Sequence, residues 1–310
     1  MIIEFSHLSK RYKKNGKFAL YDVNYASDNI NPLGIVGSNG AGKSTLFLIA
    51  NGLARPTSGD VRLYDKSILK DNNLNQKTGL FTDKLVLYQV LTVKETIHYF
   101  MGVYGIPKKQ YESCIDMFRV KEFEKSRIEE LSTGMLKKVM LLISMLNRPK
   151  ILFLDEPFSG LDMDSKSELS DVINDLYQEY KVKTIISSHD LFETQSLIQD
   201  VLIIEEGKVI ERGKFNDLIN KYMKSRNMNV ICEEDAYIIK NFGKYLIRKE
   251  KDRIVLSIRL EELYEFLHYV NRDKIINIIN NDMSLEDIYE EARKHAINSN
   301  VSKGNTNITQ

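Results

Sequence analysis

The chain has 310 residues, 43% of them hydrophobic, and balances 44 Lys+Arg against 43 Asp+Glu. At roughly 100–200 residues per domain, this length suits one large domain and a smaller one, and a formal net charge of +1 gives no cationic surplus for nucleic acid. Cys114 and Cys232 lie too far apart for a disulfide framework or a metal-binding spacing, and apolar runs such as residues 139–146 fall far short of the roughly 18 residues of a membrane span.

At the N-terminus an acidic Glu4 and the lack of an apolar stretch argue against a signal peptide. The chain reads as soluble and cytoplasmic, reaching a membrane only through a partner. Residues 32–37 form an apolar run that passes straight into a glycine loop, and residues 43–53 follow with helical spacing. Residues 84–140 then carry three helical stretches (93–104, 108–119 and 136–146) without an intervening strand, which predicts a helical insertion. Residues 151–154 and 184–186 are further all-apolar runs, the pattern of parallel strands buried on both faces. Residues 201–205 and 208–212 flank Glu206-Gly207 as a hairpin. Residues 1–220 therefore predict an α/β domain with a mostly parallel sheet. Beyond residue 220 glycine thins out; residues 237–239 and 253–258 look strand-like, and 260–270 and 284–294 helical. These give a small α+β appendage over 221–296, and the Asn/Ser/Thr/Gly-rich residues 297–310 predict a disordered tail.

Three segments carry chemistry. Gly37, Ser38, Asn39, Gly40, Ala41, Gly42, Lys43, Ser44 and Thr45 fit G-x-x-x-x-G-K-[S/T]. In such a loop inward-pointing N–H groups cradle phosphate oxygens, the lysine reaches the β/γ-phosphates and the serine hydroxyl ligates Mg²⁺. The strand 151–154 ends in adjacent carboxylates, Asp155 to hold Mg²⁺ and Glu156 to polarise a water. Leu131-Ser-Thr-Gly-Met135 opens a helix, and Ser132 and Gly134 there make an anion site. Singly, these are a glycine turn, a solvated acidic loop and a helix cap.

Taken in order, they resemble the ATP-binding cassette (ABC) ATPases over about residues 1–215. Gly37–Thr45 looks like the family's phosphate loop, Leu131–Met135 like its signature segment and residues 151–156 like its carboxylate strand. Ser159-Gly-Leu-Asp162 looks like the loop after that strand, and His189 like the switch histidine. Tyr12 looks like the aromatic that stacks on adenine. The resemblance implies an α/β phosphate-loop core with a mostly parallel sheet, an antiparallel β subdomain and a helical subdomain. It further implies ATP and Mg²⁺ as ligands, Glu156 as general base, and His189 on the γ-phosphate. Two cassettes would face each other head to tail, so that Ser132 and Gly134 of one grip the phosphate held by Lys43 of the other, with Asp162 linking the sites.

Two positions depart from the family pattern. Asp83 stands where a glutamine is usual, and as an oxygen ligand it could approach Mg²⁺. The signature ends Thr-Gly-Met at Met135 rather than Gly-Gly-Gln. The segment 283–290 resembles the "S-L-E-D" helix of the antibiotic and peptide export branch. Leu85, Leu87, Tyr88, Tyr99, Phe100 and Tyr104 could line a groove for the membrane subunit, or form the insertion's own core. The expectation is thus an ATPase subunit, peripheral on the cytoplasmic face, driving a separate membrane permease. An importer cassette, a regulatory cassette and a soluble ABC protein remain as alternatives.

Overall fold

The computed structural model describes residues 1–30, 32–71, 77–189, 194–222, 227–280 and 284–304; at 113, 114, 227, 260, 280 and 298–304 it describes the backbone alone. The side chain of Cys114, Met283 of the "S-L-E-D" segment and residues 305–310 of the expected tail lie outside the described set. The chain divides into two units, residues 1–216 with 289–310, and residues 217–288.

In the first unit, β3 (Leu33–Val36) and β7 (Ile151–Asp155) are buried at every position, as strands covered on both faces must be. With β6 (Thr78–Thr82), β8 (Lys183–Ser188), β9 (Asp200–Glu205) and β10 (Lys208–Lys214) they make a sheet of order β10-β9-β3-β8-β7-β6. Neighbours run parallel except β9 and β10. Their hairpin turns at Glu206 and Gly207, with φ of 48° and 79°, the paired positive values of a tight hairpin turn. A consequence for function lies in the order: β3, β8 and β7 are adjacent and co-directional, so the segments that follow all three leave one edge of the sheet. In open α/β sheets that carboxyl edge is where ligands bind.

A second, antiparallel sheet joins β1 (Ile3–Lys10), β2 (Leu20–Ser27), β4 (Ser58–Leu63) and β5 (Lys66–Ser67) in the order β2-β1-β4-β5. Between the sheets sits α1 (Lys43–Ala50), which buries Leu46, Phe47, Ile49 and Ala50. Phe47 meets Phe153 of β7 edge to face, centroids 5.2 Å apart, a geometry that adds about 1 kcal/mol to the burial. The α1 helix is thereby fixed against the central strand.

The helical stretch contains α2 (Val93–Val103), α3 (Tyr111–Met117) and α4 (Thr133–Met145). Thr92 and Glu95 close a capping box on α2, which explains its start. The expected helix 108–119 is a 3₁₀ turn, Lys108–Gln110, followed by the shorter α3. The α4 helix begins three residues before the apolar run because Ser132 caps it, and the expected insertion boundary at 140 falls inside it. After β7 comes α5 (Met163–Gln178).

The unit 217–288 has an antiparallel sheet of β11 (Asn227–Glu233), β12 (Leu246–Lys249), β13 (Arg253–Arg259) and β14 (Ile275–Asn280), ordered β12-β13-β11-β14. Val230, Cys232, Ile254, Leu256, Ile258 and Phe266 pack its core. The chain enters this unit through α6 (Phe215–Tyr222). Residues 237–239, expected as strand, belong to α7 (Ala236–Phe242). The Asp235 carboxylate accepts the Tyr237 N–H at 2.7 Å, and this N-cap outweighs the strand preference of two isoleucines. The helix α8 (Leu260–Tyr269) follows β13. The expected tail is likewise corrected in part, since α9 (Leu285–Gly304) runs on through residues 297–304 of it.

Candidate nucleotide site

The phosphate loop connects β3 to α1. Gly42, at φ 111°, is the residue before α1, and a Cβ there would lie 2.4 Å from the Ala19 carbonyl oxygen. At Gly37 a Cβ would lie 2.1 Å from the Ile204 carbonyl oxygen, so the loop root rests directly on β9. Both positions require glycine. Asn39 and Gly40 stand exposed at the loop tip, Ala41 is buried, and Ser44 and Thr45 are half-buried in the first turn of α1.

Lys43 is 5% exposed. Its Nζ donates to the carbonyl oxygens of Gly37 (2.7 Å) and Ser38 (3.3 Å) and lies 3.2 Å from Glu156 Oε1. An ammonium held inside a loop by three oxygens is poised to exchange them for phosphate oxygens.

Glu156 is the centre of the cluster. Its φ of 52° is unusual for a residue with a Cβ and costs about 1–2 kcal/mol. Two bonds of its N–H to Ser187, at the carbonyl oxygen and at Oγ, each 3.2 Å, hold it there. Its Oε2 lies 2.6 Å from His189 Nδ1 and accepts the His189 N–H at 3.2 Å. One carboxylate thus bridges the loop lysine and the histidine that follows β8. Asp155, nearly buried, accepts from Ser187 Oγ at 2.6 Å, and the left-handed turn at Glu156 separates the two neighbouring carboxylates.

Tyr12, just past β1, is 62% exposed, its hydroxyl 3.3 Å from Thr45 Oγ1 and its ring under the Lys10 ammonium. An exposed ring beside the loop is free to stack, unlike a core aromatic. Among the described residues no group of three or more His, Cys, Asp or Glu side chains is arranged for a metal. Mg²⁺ normally uses one or two protein oxygens together with substrate phosphates, and the Ser44 hydroxyl and the Asp155 carboxylate suit that pattern.

Asp83 follows β6, and its carboxylate meets the Nζ of Lys137 on α4 at 3.4 Å. Its counter-charge in this structure is therefore a lysine. Lys137, only 4% exposed, also donates to the carbonyl oxygens of Pro157 (2.9 Å) and Glu156 (3.3 Å). Burial holds its pKa below the usual lysine value, against the opposing pull of Asp83 and Glu156. In the sequence Lys137 stands only in the Leu-Lys-Lys after the signature segment, a resemblance to the export branch, and carries no sign of its place at the site.

The remaining expected residues form a second cluster. Ser132 is exposed and accepts the Met135 N–H at 3.2 Å as the cap of α4. Gly134 is buried where α4 approaches α5, and a Cβ there would come within 2.7 Å of Ser165 Oγ. Asp162 caps α5, accepting the Ser165 N–H at 2.8 Å, a bond that lowers its pKa. Each of these three residues has a local structural role in the single chain.

Residues 20–159 match the family described as ABC transporter. The chain is 30% identical over 241 residues to ABC transporter A family member 1 of Dictyostelium discoideum, a match covering 74% of this chain and 27% of that protein. It is 30% identical over 223 residues, 70% of this chain, to a probable sulfate/thiosulfate import ATP-binding protein of Chlorella vulgaris, and covers 93% of it. The chain thus spans about a quarter of the first relative and nearly all of the second. Among solved structures, a subunit of the Clostridium perfringens transporter complex cbiONQ superimposes with a TM-score of 0.62 at 25% identity, over 72% of this chain and 94% of that one. The chain belongs to the ABC transporter family and carries that family's ATP-binding domain.

Proposed function

We propose that this chain binds MgATP and hydrolyses it to drive a separate integral membrane permease, working as one of a pair of cassettes. The observation that carries this reading is the carboxylate of Glu156, suspended between Lys43 and His189 at 3.2 and 2.6 Å. In the reaction Lys43 releases its loop carbonyls and neutralises the β/γ-phosphates, and the loop N–H groups and the start of α1 hold the phosphate oxygens. Ser44 and Asp155 would hold Mg²⁺, which would supply charge neutralisation to the phosphates when bound. Glu156, freed from Lys43, takes a proton from the attacking water, and His189 orients the carboxylate through Nδ1 and contacts the γ-phosphate. Tyr12 stacks on the adenine, and Ser132 and Gly134 serve the site of the opposing cassette. Asp83 and Lys137 act as the sensor pair between helical region and site, Asp83 having access to the metal once Lys137 moves.

Residues 1–220 act as the cassette in this reading and 221–296 as its accessory domain, on the cytoplasmic face of the membrane. Support for a membrane partner comes from an exposed patch on and before α2: Val86, Tyr88, Val90, Tyr99, Val103 and Tyr104 all present apolar surface, more than a solitary soluble helix leaves open. Among the described residues no helix is long and apolar enough to cross a membrane. Export is the favoured direction, from the resemblance of residues 283–290 to the export branch; the import protein among its relatives keeps uptake as the second reading. Co-purification of the tagged chain from gently solubilised native membranes tests the proposal. A stoichiometric polytopic membrane protein is expected, and ribosomal or DNA-repair proteins in its place would overturn the transporter assignment.

A further inference from the structure

The second residue of the phosphate loop is tied to the far end of the chain. Ser38 Oγ donates to Glu205, the last residue of β9, at 3.1 Å from each carboxylate oxygen. Glu205 Oε2 also accepts from the Tyr289 hydroxyl at 2.8 Å, and Oε1 lies 3.8 Å from Nε of Arg293. Tyr289 and Arg293 are one turn apart on α9 and so share a face. Glu205 is 16% exposed, and burial together with this bond raises the Tyr289 pKa. The loop has further anchors on the same hairpin: the Gly207 N–H donates to the Ala41 carbonyl at 2.9 Å, and Gly37 rests on Ile204. The β9–β10 turn is thus a shelf for the phosphate loop, and α9 holds the shelf's one carboxylate that touches the loop.

We propose that α9 is a latch on the phosphate loop, acting through Tyr289, Glu205 and Ser38, and that its docking raises affinity for the nucleotide phosphates. Two physical effects give this sign. A fixed Glu205 fixes Ser38, so the loop is pre-formed and less ordering is needed on binding. A carboxylate beside a phosphate cradle repels the ligand, and the Tyr289 hydroxyl and Arg293 guanidinium offset that charge. By reciprocity, bound nucleotide must tighten the docking of α9. Tyr289 follows directly on residue 288, where the second unit ends, so the latch is covalently continuous with the appendage. Tyr289 and Arg293 are positioning residues.

This inference rests on the nucleotide-binding reading, and the two can fail separately. The test is calorimetric titration of the full chain with MgADP, which fills the β-phosphate cradle without turnover. Wild type is expected to bind, and Tyr289→Phe, which keeps the ring and removes the hydroxyl, to bind about fivefold or more weakly. Because part of the effect passes through Ser38, Tyr289→Phe should cost clearly less affinity in a Ser38→Ala background than in wild type. Failure of wild type to bind would overturn the nucleotide reading. Binding by wild type with unchanged affinity in Tyr289→Phe, or an equal loss from Tyr289→Phe with and without Ser38, would overturn the latch alone.

Discussion

At Glu156 a backbone strained into the left-handed region is held by Ser187 on β8 and Lys137 on α4. The Ser187 bonds to its N–H and the Lys137 bond to its carbonyl oxygen hold the residue from both sides. Lys137 is consequently more than a solubilising charge. Lys137→Met would strip the bonds to two carbonyl oxygens and leave Asp83 without its counter-ion; a loss of about 2 kcal/mol in denaturant-induced unfolding is expected, with turnover reduced more than MgATP affinity. The depressed pKa sets a pH signature as well. Because the folded lysine holds its proton less tightly than the unfolded one, the unfolded state binds more protons in the interval just below pH 10.5, and stability rises with pH there. Wild type should therefore gain stability relative to Lys137→Met as the pH rises toward 10.5, a difference readable from denaturation midpoints measured at successive pH values in that interval.

At the level of elements, local patterns and long-range contacts differed in how legible they were. The apolar runs at 33–36 and 151–154 announced two central strands because burial on both faces leaves no polar position to blur the pattern; β8 was legible from Ile185 and Ile186 although Thr184, Ser187 and Ser188 beside them are buried polar residues. Residues 237–239 failed for the converse reason: a three-residue apolar run carries no period, and the deciding feature was the cap at Asp235. Asp235→Ala should destabilise the second unit by about 1 kcal/mol, more if its ion pair with Lys274 contributes. Thermal unfolding checks this, and an unchanged midpoint would speak against α7. The glycine loop and the Asp155–Glu156 pair were legible as motifs. The Asp83–Lys137 pair and the Ser38–Glu205–Tyr289 relay were not, because their members are distant in sequence and meet only through the packing of α4 and α9.

For the whole molecule, the first unit holds every residue of the Lys43–Glu156–His189 cluster, while Ser132 and Asp162 present a second cluster at the starts of α4 and α5. A head-to-tail pair would bring the second cluster of each chain to the first cluster of the other. If so, Glu156→Gln, which keeps the side-chain shape but cannot take a proton, should accumulate as an ATP-bound dimer detectable by light scattering; Lys43→Ala should lose MgATP affinity and stay monomeric. The chemistry itself turns on Glu156. The most direct measurement is steady-state phosphate release by Glu156→Gln beside wild type, with MgATP binding measured in parallel. A fall of about 100-fold or more with binding retained is predicted, the usual contribution of a general base. Turnover within a few-fold of wild type by a variant that still binds MgATP would contradict the account.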